Sequence, residues 1–191
     1  MDLSAWVVAP LANLSLLGPV VTAAASEGIR KGTGMVSWLH WPDLITIEGR
    51  AVGKTRVSAS AGRTAAVIEI VVNCFAPTAE HALSSGLRST SILDALGVEV
   101  DMGLLRERII DSLDWYSAEW ERGVYAKLVA RIQPSITWLG RKVKVKTTDG
   151  DVLYGAALEL NETGSLMLRL RGEKTPAAVG PDLVEWVFPL R

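Results

Sequence analysis

The stretch Trp38-Leu39-His40-Trp41-Pro42-Asp43, with the three alternating runs behind it, constrains this chain more than any other feature. Proline after Trp41 bars that residue from the helical region, so any preceding helix must end upstream. Ile45 and Ile47 alternate with Thr46 and Glu48, the period-two pattern of a half-buried strand. Gly49-Arg50 is a tight-turn candidate, and residues 51–59 return as a second strand. Ala61-Gly62-Arg63 turns again into a third run over residues 64–73. The reading is a three-stranded antiparallel meander entered through a Trp-Pro corner.

The chain upstream is free of charge from Leu3 to Ser26, long enough in principle to span a bilayer. Pro10, Pro19, Asn13 and Ser15 interrupt it and no basic segment precedes it, so neither a signal peptide nor a membrane helix is expected. A buried strand over residues 5–9 and a helix over 14–31 account for it better. Leu16, Leu17, Val20, Val21 and Ala24 form the apolar face of that helix. Pro19 is expected in its first turn, Arg30 and Lys31 at its C-terminal end, and Gly32 at its stop. Residues 35–39 then form a short strand that delivers the chain to the corner.

Beyond the meander, residues 76–88 read as a surface loop. Ser91-x-x-Asp94 has capping spacing and opens a brief helix that Gly97 ends. Asp101 caps a longer helix, of about 25 residues, reaching towards Ala130. Leu105, Ile109, Leu113, Tyr116, Trp120 and Leu128 recur along it at helical spacing, and Trp115 and Trp120 are read as core.

The composition shifts at Gln133-Pro134, which divides the chain into a unit of residues 1–134 and one of residues 135–191. In the second, Val143, Val145 and Thr147 alternate with Lys142, Lys144 and Lys146, and Asp149-Gly150 is a hairpin signal. Strands ending at Leu160, over 166–170 and over 184–188 complete a small SH3-like barrel. The Arg141-Lys142-Lys144-Lys146 stripe is read as a solvated face. With a formal net charge of -1, no nucleic-acid partner and no membrane are expected. One cysteine among 191 residues, Cys74, excludes an internal disulfide and suits the cytoplasm.

Taken in order, these motifs resemble those of the biotin–protein ligases, within the biotin/lipoate A/B protein ligase family. His40-Trp41-Pro42-Asp43 resembles the family's Lys-Trp-Pro-Asn-Asp corner, and Gly49-Arg50-Ala51-Val52-Gly53 its Gly-Arg-Lys-x-x-Gly hairpin. Residues 67–73 resemble its Gly-x-Gly-x-Asn strand, and Thr90-Ser91-Ile92 its Thr-Ser-Leu helix start. Trp138-Leu139-Gly140 and Gly164-x-Leu166 resemble parts of its small C-terminal domain. The resemblance implies an α+β fold, with a mixed or antiparallel sheet packed with helices as in class II aminoacyl-tRNA synthetases and biotin ligases. An SH3-like β-barrel would follow. It also implies adenylation of biotin with ATP and Mg²⁺, transfer to a lysine of a biotin carboxyl carrier protein, and a homodimer.

By that resemblance the ligand-pocket positions are His40, Trp41, Pro42, Asp43, Arg50, Ala51, Glu69, Val71 and Asn73. Several carry the wrong chemistry. The family's corner lysine falls at His40, its asparagine at Asp43, its aspartate at Leu44 and its hairpin lysine at Ala51. The two strand glycines fall at Glu69 and Val71, whose side chains would fill the space for the biotin ring. The Gly/Arg-rich loop belongs before the strand matching residues 6–9. Lys54 is the remaining catalytic candidate, three positions past Ala51, on the opposite strand face unless a bulge intervenes. Asp43 is the remaining Mg²⁺ candidate.

Three readings stay open. The chain is a degenerate ligase fold kept as a binding or assembly module, not an enzyme in isolation. Or it is one part of a split ligase whose Gly/Arg loop sits on a complementary N-terminal polypeptide. Or it is an active ligase on another small carboxylate, using Lys54, Asp43 and Glu69.

Overall fold

The computed structural model describes residues 1–7, 13–59, 65–76 and 86–190, with residues 3–7 as backbone alone. Five strands, β1 (Asp2–Val7), β2 (Ser37–His40), β3 (Leu44–Ile47), β4 (Arg50–Ala59) and β5 (Ala66–Val72), form one antiparallel sheet. Their order is β1-β5-β4-β3-β2. The meander is therefore present, and β1 extends it beyond β5, pairing from Asp2↔Val71 to Val7↔Ala66. The β3–β4 turn falls on Glu48 and Gly49, one residue earlier than expected. Both have positive φ (51° and 72°), as a two-residue hairpin turn matching strand twist requires. The expected turn at residues 61–63 and most of the loop at 76–88 lie outside the described residues.

Helix α1 (Leu14–Thr33) lies on one face of this sheet, against Ile45, Ile68, Ile70 and Val72. Thr46 on the opposite face is buried too, so β3 is enclosed on both sides rather than half-buried as its alternation indicates. Pro19 sits inside α1, a turn deeper than expected, and has no N–H to give the Ser15 carbonyl. Gly32 does not stop the helix; Gly34 does, at φ 74°. Gly28 and Gly32 instead lie against the next long helix. A Cβ at Gly28 would come within 2.5 Å of the Ile109 Cα, and one at Gly32 within 3.1 Å of the Leu105 Cα. The two helices meet backbone to backbone along that glycine pair.

After α2 (Ile92–Leu96), whose start Ser91 caps by accepting from the Asp94 N–H, the long helix is divided. Asp101 caps α3 (Met102–Glu121) as expected, accepting from the Gly103 and Leu104 N–H groups. Gly123, at φ 71°, then breaks the chain before α4 (Tyr125–Ile132). Glu119 holds this corner, with Arg122 at 2.8 Å and Lys127 at 2.7 Å. Trp120 is core, whereas Trp115 is 39% exposed and lies under the Arg131 guanidinium, 4.4 Å from the ring centre. Arg131 and Lys31 converge on Glu27 at 3.0 and 2.9 Å, and Tyr116 donates to the same carboxylate. Burial pulls the Glu27 carboxyl up, but these partners outweigh it and hold the group below its usual range. Burial beside Glu27 pushes Tyr116 up to about 12.

A second antiparallel sheet follows, of β6 (Lys142–Thr147), β7 (Val152–Leu160), β8 (Leu166–Leu170), β9 (Ala177–Val179) and β10 (Val184–Pro189). Its order is β10-β6-β7-β8-β9. Val143, Val145, Leu166, Leu168 and Val187 point inward and join the same apolar cluster as α1 and the first sheet. Among the described residues no helix is long and apolar enough to cross a membrane.

Candidate functional site

The Trp-Pro corner sits at the seam between the two sheets. Trp41 is fully buried, its peptide bond to Pro42 is cis, and its indole N–H donates to the Gly164 carbonyl at 3.1 Å. His40, 7% exposed, donates from Nε2 to the Val187 carbonyl at 2.8 Å and meets the Trp138 ring edge-on. Burial lowers its pKa, only partly offset by that hydrogen bond, so the ring is neutral near pH 7. His40 therefore supplies no cation where the family resemblance places a lysine. Both corner residues hold the second sheet onto the first.

A cleft of about 480 Å³ opens beside the corner. It lies between the first turns of α1, Pro42 and Asp43, the segment 54–57 of β4, and Asp182 before β10. β3 has ended at this point, and the Thr55 N–H donates to the Asp43 carbonyl at 2.9 Å. From Arg56 to Ala59, β4 is paired only with β5 among the described residues. The Thr55 hydroxyl and the Thr22 hydroxyl of α1 meet at 2.6 Å and close the cleft's inner wall.

A bulge sets the face of Lys54. The register runs Ile45↔Gly53, then Thr46↔Ala51, leaving Val52 unpaired. The extra residue reverses the alternation and puts Lys54 on the same face as Ala51. Gly53 is required beside it, since a Cβ there would lie 2.8 Å from the Val71 carbonyl. The Lys54 ammonium stands 3.3 Å from Asp43, each side chain a third exposed. Desolvation in the cleft raises the Asp43 carboxyl above its usual range, and Lys54 pulls it partly back.

The other expected site residues are dispersed. Ala51 is fully buried, its N–H given to the Arg88 carbonyl. Arg50 is paired with Glu48 at the hairpin tip. Asn73 is buried and donates from its amide to the Thr90 carbonyl and to Ser89, so it ties β5 to the start of α2. Val71 lies opposite Lys54, and Glu69 opposite Arg56, on the face turned away from α1. Glu69 is exposed there, 3.9 Å from Arg56. Its neighbour on β4 is the cation that the strand pattern offers it.

Sequence reasoning missed Ser15, Thr55 and Asp182 as cleft residues. Only Thr55 carried a signal, as a hydroxyl on the core-facing side of a strand. Two cations, Lys54 and Arg56, and two carboxylates, Asp43 and Asp182, line the cleft, so it offers a triphosphate no net positive field. Among the described residues no group of three His, Cys, Asp or Glu side chains could hold a metal ion. Among the described residues, the lining of this cleft does not fit a triphosphate with Mg²⁺.

Two antiparallel sheets clasped through a Trp-Pro corner, with helices on one face of the first, define the biotin protein ligase fold. Apo biotin protein ligase from Aquifex aeolicus superimposes with a TM-score of 0.84 at 16% identity, over 99% of this chain and 82% of that one. A biotin protein ligase-like protein of unknown function from Silicibacter sp. tm1040 matches with a TM-score of 0.71 at 16% identity, over 95% and 77%. Biotin protein ligase from Leishmania major in complex with biotinyl-5-AMP matches with a TM-score of 0.56 at 15% identity, over 94% and 77%. Identities this low show the fold alone. No family model matches the sequence, and no curated protein matches it.

Proposed function

We propose that the chain is a biotin protein ligase-like module that binds or assembles but does not form biotinyl-adenylate by itself, its second sheet acting as an SH3-like domain. The Lys54–Asp43 pair carries this reading. Lys54 occupies the face of the family's hairpin lysine, yet its charge is matched by a carboxylate 3.3 Å away. Adenylation needs cations that neutralise charge as the phosphoryl bond forms, and here the nearest one is already neutralised. By the resemblance, Glu69 and Val71 add a carboxylate and a branched side chain where the bicyclic ring system of biotin needs room.

Calorimetric titration of biotin, ATP and biotinyl-adenylate into the purified chain tests the proposal. Neither biotin nor ATP is expected to give binding heat at micromolar concentrations. Pyrophosphate release on mixing both with Mg²⁺ overturns it and favours an active ligase on a small carboxylate.

A second reading rests on β4 from Arg56 to Ala59, which is paired only with β5 among the described residues. Strand edges recruit other strands, so a complementary polypeptide or a second copy of the chain could complete the site there. Light scattering decides between a dimer and a monomer, and co-expression with a candidate Gly/Arg-loop polypeptide tests for restored adenylation.

A further inference from the structure

The outer face of the second sheet carries an arrangement that the cleft does not use. Along β6, Val143 and Val145 point into the core, so Lys142, Lys144 and Lys146 point out. The pairing sets aromatic side chains on both sides of them. Lys144 lies opposite Tyr154 on β7 and opposite Phe188 on β10, and Lys146 lies opposite Trp186. Tyr154 is 51% exposed and Phe188 42%. The Lys144 ammonium sits 5.3 Å from the Trp186 ring centre and 5.9 Å from that of Tyr154. One row further, Lys142 and the exposed Arg169 flank Ala156.

Charge on this face is unevenly matched. Lys146 is paired with Glu185 at 2.7 Å. Lys142, Lys144 and Arg169 form no ion pair among the described residues. A merely solvated lysine face needs no exposed aromatic rings, whose hydration is unfavourable. Cations alone would suit any polyanion, acidic peptides included. Rings alternating with cations suit a polyanion that also carries planar groups.

We propose that this face binds single-stranded nucleic acid, with bases stacking on Tyr154 and Phe188 and phosphates meeting Lys142, Lys144 and Arg169. The row Tyr154–Lys144–Phe188 presents ring, cation, ring, matching base, phosphate, base. Neighbouring strands lie about 4.8 Å apart, so the main chains of Tyr154 and Phe188 stand about 10 Å from each other with that of Lys144 between them. Stacking tolerates any base, so the expected preference is for strandedness rather than sequence. The formal net charge of -1 does not oppose this, because screening confines the interaction to within about 10 Å of the face.

Fluorescence anisotropy of labelled twelve-residue oligo-dT and oligo-rU with the full chain tests the proposal. Binding is expected to both, or to one if the sugar is read, with log K falling against log salt with a slope of about −2 for three phosphate contacts. Lys144→Ala should make the slope shallower by about 0.7. The pair Tyr154→Ala and Phe188→Ala should weaken binding roughly tenfold or more while leaving the slope unchanged, and Tyr154→Phe should retain it. Both positions are exposed, and unchanged thermal unfolding of the variants verifies that the fold is intact. Absence of binding to both oligonucleotides overturns the proposal. So does equal binding of poly-aspartate or duplex DNA with no effect of the aromatic substitutions, which would mark a generic cationic patch.

Discussion

The indole N–H of Trp41 donates to the main-chain carbonyl of Gly164, 123 residues further along in the turn between β7 and β8. Gly164 tolerates no side chain at this contact. Its φ is +76°, and a Cβ would lie 2.7 Å from the Cα of Leu16. The turn before β8 thus packs directly on the start of α1, and Trp41 closes the contact from the side.

Gly164→Ala is expected to destabilise the chain by about 2–4 kcal/mol, combining left-handed strain of about 1 kcal/mol with overpacking of 1–3 kcal/mol. Equilibrium denaturation in urea measures it. Gly172, also at positive φ but with nothing near its Cβ position, provides the control. Alanine there should cost only the strain.

The neutral, buried His40 makes stability depend on pH. Its folded pKa lies below the unfolded value of about 6.5, so below that value the unfolded chain binds the extra proton. The contribution is fully present above pH 6.5 and is lost as pH falls through the window down to the lowered folded value. Its slope approaches at most about 1.4 kcal/mol per pH unit for one proton. His40→Gln keeps a donor for the Val187 carbonyl and should flatten the slope between pH 5 and 7, as read by urea midpoints at each pH. An unchanged slope would show that His40 is not the group responsible.

The glycines of α1 should separate cleanly. Gly18→Ala meets nothing within 4 Å and gains about 0.5–1 kcal/mol from reduced backbone entropy in the unfolded state. Pro19 disfavours the helical region for a side-chain-bearing residue before it and offsets that gain, so little net change is expected. Gly28→Ala drives a Cβ into the Ile109 backbone at 2.5 Å and should lose about 1–3 kcal/mol by forcing α1 and α3 apart. Thermal unfolding is expected to fall for Gly28→Ala and to stay close to that of the parent for Gly18→Ala.

Much of this architecture is legible in the residues. The alternation of Ile45/Ile47 and of residues 66–72, the Ser91 and Asp101 caps, and the turn residues around Gly49 and Gly150 are local signals, and each marks its element. What was not legible depends on a partner distant in sequence. Gly28 and Gly32 look like helix weaknesses until α3 lies across them. The expected 25-residue helix broke because Gly123 takes a left-handed conformation that a glycine inside an apolar stripe does not announce. The site divides the same way. His40, a pocket position by the resemblance, is buried against Trp138 and donates to the Val187 carbonyl. The bulge at Val52, which decides the face of Lys54, leaves no trace in residue type, because Val52 and Ala51 are both apolar and both buried. Glu69, at the position of a strand glycine by the resemblance, lies on the outward face and is exposed.

We propose that the chain does not adenylate biotin by itself, because Lys54 is matched by Asp43 and, among the described residues, the cleft's other cation, Arg56, lies 3.9 Å from Glu69. Pyrophosphate release by the purified chain with biotin, ATP and Mg²⁺, compared with Lys54→Ala, is the most direct measurement. Release at the uncatalysed background for both proteins is predicted. Release above background that Lys54→Ala abolishes would contradict the account.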